Sequence, residues 1–129
     1  MARYRVEKNI LVIIGDTGIE ESYIHNITPH PVKLQWGDTW VEIPGIPIEF
    51  PRVEEKRIPA RMIGMLRLNF KSLGQINGLP EPLPGHMFIV PTLIASALRG
   101  ERDDLLVPDE LVRDENGHII GAGALAILK

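Results

Sequence analysis

The chain has 129 residues, a length for one domain, and 44% of them are hydrophobic against 24% charged, an ordinary globular mixture with a net charge of -3. Cysteine is absent, which excludes disulfides, zinc–thiolate sites and thiol nucleophiles. The negative balance argues against a binder of polymeric nucleic acid, which needs a basic face, but leaves room for a small anionic ligand held by a few arginines.

Taken in chain order, the first apolar run, Ile10 to Ile14, predicts a buried strand ending in the turn Gly15-Asp16-Thr17-Gly18. The run is too short for a signal-peptide core or a membrane span, so the expectation is a cytoplasmic protein without membrane contact. The turn lacks the lysine of a P-loop and the glycine spacing of a dinucleotide fold. Pro29 and Pro31 keep the next segment extended. "VKLQ" and "TWVEI" then flank a short hairpin loop at Trp36-Gly37-Asp38, and the second of them alternates with the period of a half-buried strand. "PGIPIEFP" is an irregular or edge segment. Met62 to Phe70 is expected as one strand, with a short one before it at Arg52 and Val53; a helix is the competing assignment, and the breakers Pro59 and Gly64 decide against it. Residues 74 to 85, rich in proline and glycine, form a stiff surface connector.

"HMFIV" predicts a buried strand, and "PTLIASALRG" a short helix opened by Pro91 or Thr92 and closed by Gly100. "DDLLVP" and "ELVRD" are two further strands, Asn116-Gly117 a two-residue hairpin turn, "HIIG" its return, and "ALAIL" a last strand. The sum is a β-rich α+β single domain, an antiparallel sheet with one short helix. Exposed strand edges in so small a chain point to a homo-oligomer, a dimer at least.

From residue 24 onward the order "NITPHPV", "PRV", "GLPEPLPG", "FIVPTLIA", "RDDLLVP", "VRDENGHIIG" resembles a family of small phage and prophage proteins. That arrangement is also similar to phage anti-defence proteins of the Thoeris type, which act as sponges for cyclic nucleotide signals. This chain departs from the pattern in an extra leading segment, residues 1–22 before a core at 23–129, and at Pro91 and Ala122, where many relatives carry serine and cysteine. The resemblance implies non-catalytic sequestration of a small anionic nucleotide at a subunit interface, with no cofactor and no metal.

The residues themselves allow that and blander roles. Arg113-Asp114 repeats the pair Arg102-Asp103; the arginines are candidates to fork onto phosphate, the aspartates to orient them or read ribose hydroxyls, and two neighbouring strand ends would then face one pocket. Turn chemistry is the alternative for both pairs. Asp103 and Asp104 are adjacent on a strand, point to opposite faces and suit no shared metal. Arg52 joins the candidate arginines. Thr92 is a candidate anion contact at the helix start or a plain N-cap. His30 is a candidate base-stacking group, and the one general base to test in a phosphodiesterase-like enzyme; His25, His86 and His118 show no metal-ligand spacing with it. Of Trp36 and Trp40, one is expected to cover the core edge and the other to serve as a stacking platform or subunit contact. A structural or assembly protein of a virion or filament remains a third reading, in which the same charges are contacts between subunits.

Overall fold

The computed structural model describes residues 3–129. Ten strands and one helix follow in chain order: β1 (Arg3–Glu7), β2 (Ile10–Ile14), β3 (Glu21–Asn26), β4 (Val32–Trp36), β5 (Thr39–Ile43), β6 (Arg52–Ile63), β7 (Leu66–Asn77), β8 (His86–Ile89), α1 (Thr92–Ala97), β9 (Leu105–Arg113) and β10 (Ile119–Ala126). Eight strands make one sheet in the order β1-β2-β3-β8-β9-β10-β4-β5, and β6 with β7 makes a separate two-stranded ribbon. The large sheet curls until its ends nearly meet: Tyr4 of β1 lies 4.9 Å, ring to ring, from Trp36 of β4. No helix among the described residues is long and apolar enough to cross a membrane.

The expected β-rich domain with one short helix is present, but the sheet is mixed. β3 pairs with β8, β8 with β9, and β10 with β4, all in parallel. A parallel pair needs a long crossover. The helix between "HMFIV" and "LLVP" is such a crossover. These two runs are continuously apolar because Phe88–Val90 and Leu105–Val107 are buried on both faces. Ile89 and Leu106 point into the barrel with Leu11, Leu34 and Ile43. Phe88, Leu105 and Val107 point outward and are covered by Ile94 and Ala95 of α1.

Residues 3–22 are part of this sheet: they supply β1, β2 and the start of β3, with Leu11 and Val12 in the core. Several expected boundaries move, and "HIIG" and "ALAIL" merge into the single strand β10. Met62 to Phe70 is a hairpin rather than one strand, because Ile63 pairs with Leu66 across Gly64-Met65 and Gly64 holds φ +60, the left-handed turn conformation that glycine adopts freely. Its second strand runs into the expected connector as far as Asn77. "LLVPDELVR" is a single strand, β9, bent at Glu110 with φ 50.

Candidate functional site

The two Arg-Asp pairs sit at opposite ends of β9. Nine residues at about 3.3 Å each put up to roughly 30 Å of strand between them, and no hollow among the described residues is lined by both pairs. Arg102 gives its whole fork to Asp104, Nε at 2.8 Å and Nη2 at 2.7 Å. Both side chains are mostly buried. The hydrogen bonds and the opposite charge hold the Asp104 carboxyl below its ordinary range and raise Arg102. The partner of Arg102 is therefore Asp104, and Asp103 is exposed.

At the other end, Arg113 donates to the Gly117 carbonyl at 2.9 Å, and Asp114 Oδ1 accepts the amides of Asn116 and His118. This is turn chemistry. The loop is a wider turn than expected: the Gly117 amide donates to the Asp114 carbonyl and the Asp114 amide to the His118 carbonyl. Gly117 has φ +82, whereas Asn116 is not in the left-handed region; this geometry is a type I turn followed by a left-handed glycine, not the two-residue turn with both residues left-handed.

The other expected residues are scattered. The Arg52 guanidinium lies over the Phe50 ring, 4.3 Å from its centre. Thr92 is exposed and its hydroxyl makes no cap bond; Pro91 is the N-cap. A helix of six residues sums little dipole. The His30 side chain is exposed, while its carbonyl accepts from Asn26 Nδ2 at 2.9 Å. "NITPH" thus encodes a folding device. Asn26 is fully buried, donates also to the Ile43 carbonyl, and accepts the amide and hydroxyl of Thr28. Trp36 packs on the inner core, and Trp40 lies over Gly121, where a Cβ would fall 2.5 Å from its ring.

A row of rings went unforeseen. Tyr23 stacks on His86, His86 on His25, and His25 on Phe88, with centroids 4.5, 5.0 and 4.9 Å apart. The parallel register of β3 and β8 makes the row by pairing Tyr23 with His86 and His25 with Phe88, residues 61 apart or more, so no local spacing announces it. His25 Nε2 is 2.8 Å from His86 Nδ1. One ring must donate and the other accept, and burial together with the neighbouring imidazole holds His25 below the ordinary histidine range. Two imidazoles fall short of a metal's donor set, and among the described residues no three His, Cys, Asp or Glu side chains gather. Tyr23 donates to Glu21, which also faces Arg5 at 3.6 Å.

Two open hollows of the body lie beside the first Arg-Asp pair, one of about 510 Å³ lined by Arg102, Asp103, Leu128 and Lys129 and one of about 420 Å³ lined by His86, Asp103 and Asp104. A smaller one of about 200 Å³ in the barrel mouth is walled by Leu11, Ile24, Leu34, Trp36, Val41 and Leu125. It has no charged wall to hold an anion.

The β6–β7 ribbon is different in kind. Its base is anchored: Val53 and Ile76 pack on the outer core. Beyond them nearly every side chain is exposed. Directly paired residues share a face of a ribbon. Register therefore puts Ile63 with Leu66, Arg61 with Leu68, Ile58 with Phe70 and Lys56 with Ser72 on one face. Five apolar side chains lie along it, and Ile58, Ile63, Leu66 and Phe70 are 56–70% exposed. The opposite face is mixed: it carries Arg57 paired with Lys71, Pro59 with Asn69, Arg67 with Met62 and Glu55 with Leu73, with Glu55 bridged to Arg57 and Lys71 at 3.0 Å each. A contiguous apolar strip of this kind marks a contact surface, and it is the candidate site of this protein.

Comparison with known proteins returns no match among family models, curated proteins or solved structures. The phage-family resemblance therefore rests on the order of its motifs alone.

Proposed function

We propose that this protein is a non-catalytic assembly subunit that works as a homo-oligomer, of the kind from which virions and filaments are built, with the β6–β7 arm as its joining element. The observation that carries this is the one-sided apolar face of the arm, left bare in a chain whose body buries its own core. Water disfavours such a strip by about 25 cal/mol per Å² of apolar surface, so covering it drives association. The nucleotide-sequestering reading has less support from one chain: Arg102 is paired with Asp104, Arg113 is tied to its turn, and 30 Å or so of strand lies between them.

The test is light scattering at micromolar concentration on the wild type and on Ile58→Ser/Phe70→Ser. The wild type is expected to be at least a dimer. The variant is expected to lose assembled mass while its far-UV spectrum stays that of the wild type. A monomeric wild type at high concentration removes the reading.

A further inference from the structure

We propose that the apolar face of the arm is covered by the acidic body of a second copy of this chain, two copies exchanging arms about a two-fold axis. This rests on the assembly reading above and names its partner surface.

Charge is divided unevenly along the chain. Between residues 52 and 77, Arg52, Lys56, Arg57, Arg61, Arg67 and Lys71 oppose only Glu54 and Glu55, a net +4. The remaining residues hold 8 basic and 15 acidic side chains, a net -7, and together the two parts give the chain's -3. The ribbon sharpens this asymmetry. Glu55 shares a face with Arg57 and is neutralised by it and by Lys71, and Glu54 lies near the base, where Asn77 donates to it. Along the apolar strip the charges are Lys56 and Arg61, both exposed. A partner surface for this face must be apolar at its centre and negative at its edges.

Two arms laid face to face meet that requirement poorly, because they bring Lys56 and Arg61 of both copies together with only Glu54, at the base beside Lys56, as counter-charge. The body meets it. A groove of about 270 Å³ where β4, β9 and β10 converge is lined by Pro31, Pro108, Leu111, Ile119 and Ile120, with Lys33 as its one charged wall, and Leu111, Ile119 and Ile120 are 41–53% exposed. The same hairpin carries Asp109, Glu110, Asp114 and Glu115 against the single Arg113.

Area chooses between one contact and two. A ribbon of two 12-residue strands, about 40 Å long and about 10 Å wide, offers roughly 400 Å² on one face. A stable interface takes roughly 800 Å² from each partner. One arm on one body supplies half of that, and reciprocal exchange supplies the whole. The exchanged arrangement is self-complementary, as a two-fold interface must be.

The experiment uses two charge-reversed full-length chains, Lys56→Glu/Arg61→Glu on the arm and Asp109→Lys/Glu115→Lys on the body. Neither set includes a turn-forming side chain. By light scattering the wild type is expected at twice the monomer mass, and each variant alone at monomer mass. In a one-to-one mixture both arm–body contacts pair opposite charges again, so the dimer mass is expected to return; its return also shows that both variants are folded. A body variant that stays dimeric, or a mixture that stays monomeric, overturns the proposed partner surface and leaves the assembly reading standing. Assemblies larger than a dimer in the wild type and the mixture overturn the two-fold exchange in favour of a head-to-tail ring. A monomeric wild type sinks both.

Discussion

The body and the arm of this protein follow opposite rules. In the body, alternation puts one set of side chains inside the curled sheet and another under α1, and the central stretches Phe88–Val90 and Leu105–Val107 are buried on both faces. In the arm the same period-2 alternation gathers five apolar side chains on one face, with Lys56 and Arg61 among them, yet nothing among the described residues covers that face. The body is acidic and the arm basic. Alternation in a strand therefore shows that a face is to be buried. It does not show whether the chain itself will bury it. Substitutions in the body should cost stability, and substitutions on the arm should cost assembly.

The largest effect is expected at Asn26. Asn26→Ala removes a buried amide that serves two carbonyls and accepts the amide and hydroxyl of Thr28. Unpaired buried polar groups are expensive, so the loss should be about 3 kcal/mol in urea unfolding. An unchanged midpoint would mean that the "NITPH" loop does not depend on this side chain.

Next is Arg102→Ala. If Arg102 served only a ligand, the free protein would keep its melting temperature. Its fork is closed on Asp104, so the substitution should cost about 1–2 kcal/mol, moderated by partial solvent screening. A wild-type melting temperature would restore Arg102 as a candidate for phosphate.

A smaller effect separates the regions by pH. His25 is held below the ordinary value near 6.5 by burial and by His86. The unfolded chain then takes up the proton first as pH falls. Stability from this site is full above about pH 6.5 and declines below it. His25→Gln should flatten the melting-temperature curve between about pH 5 and 7. An identical slope in the variant would assign the decline to other groups.

The smallest stability change is expected on the arm. Ile58→Ser/Phe70→Ser, which should dissociate the assembly, removes no intrachain packing beyond the ribbon itself. At concentrations where both proteins are monomeric, their melting temperatures should agree closely. A large drop would show that the arm is part of the body's own core.

Some of this was legible in the residues. The apolar runs located β2, β8 and β9. The "VKLQWGDTW" alternation located the β4–β5 hairpin, and "PTLIASALRG" the helix, because burial and turn chemistry act on neighbours in sequence. The β-rich class followed from these. Other features were misread where the deciding contact was distant. Gly64 read as a breaker and is the tip of a hairpin. The helix between two apolar runs implied a parallel pair but was counted into an antiparallel sheet. "RYRVE" and "ESYIHN" are too polar to announce strands, and become strands by pairing with β2.

The candidate site divides in the same way. Charge and turn residues were visible at Arg102, Asp103, Arg113 and Asp114, but sequence distance does not reveal that one strand holds the two pairs apart, or that Asp104 and Gly117 occupy the arginines. The His25–His86 pair and the one-sided arm exist only through strand register, which is set when side chains far apart in the chain share a core. The sequence by itself determined an ordinary globular composition, the main apolar elements and an uneven charge along the chain. Tertiary structure alone decided which strands run parallel, which charges are already partnered, and that the apolar face left over belongs to the arm, because these depend on pairings between segments that no local pattern encodes.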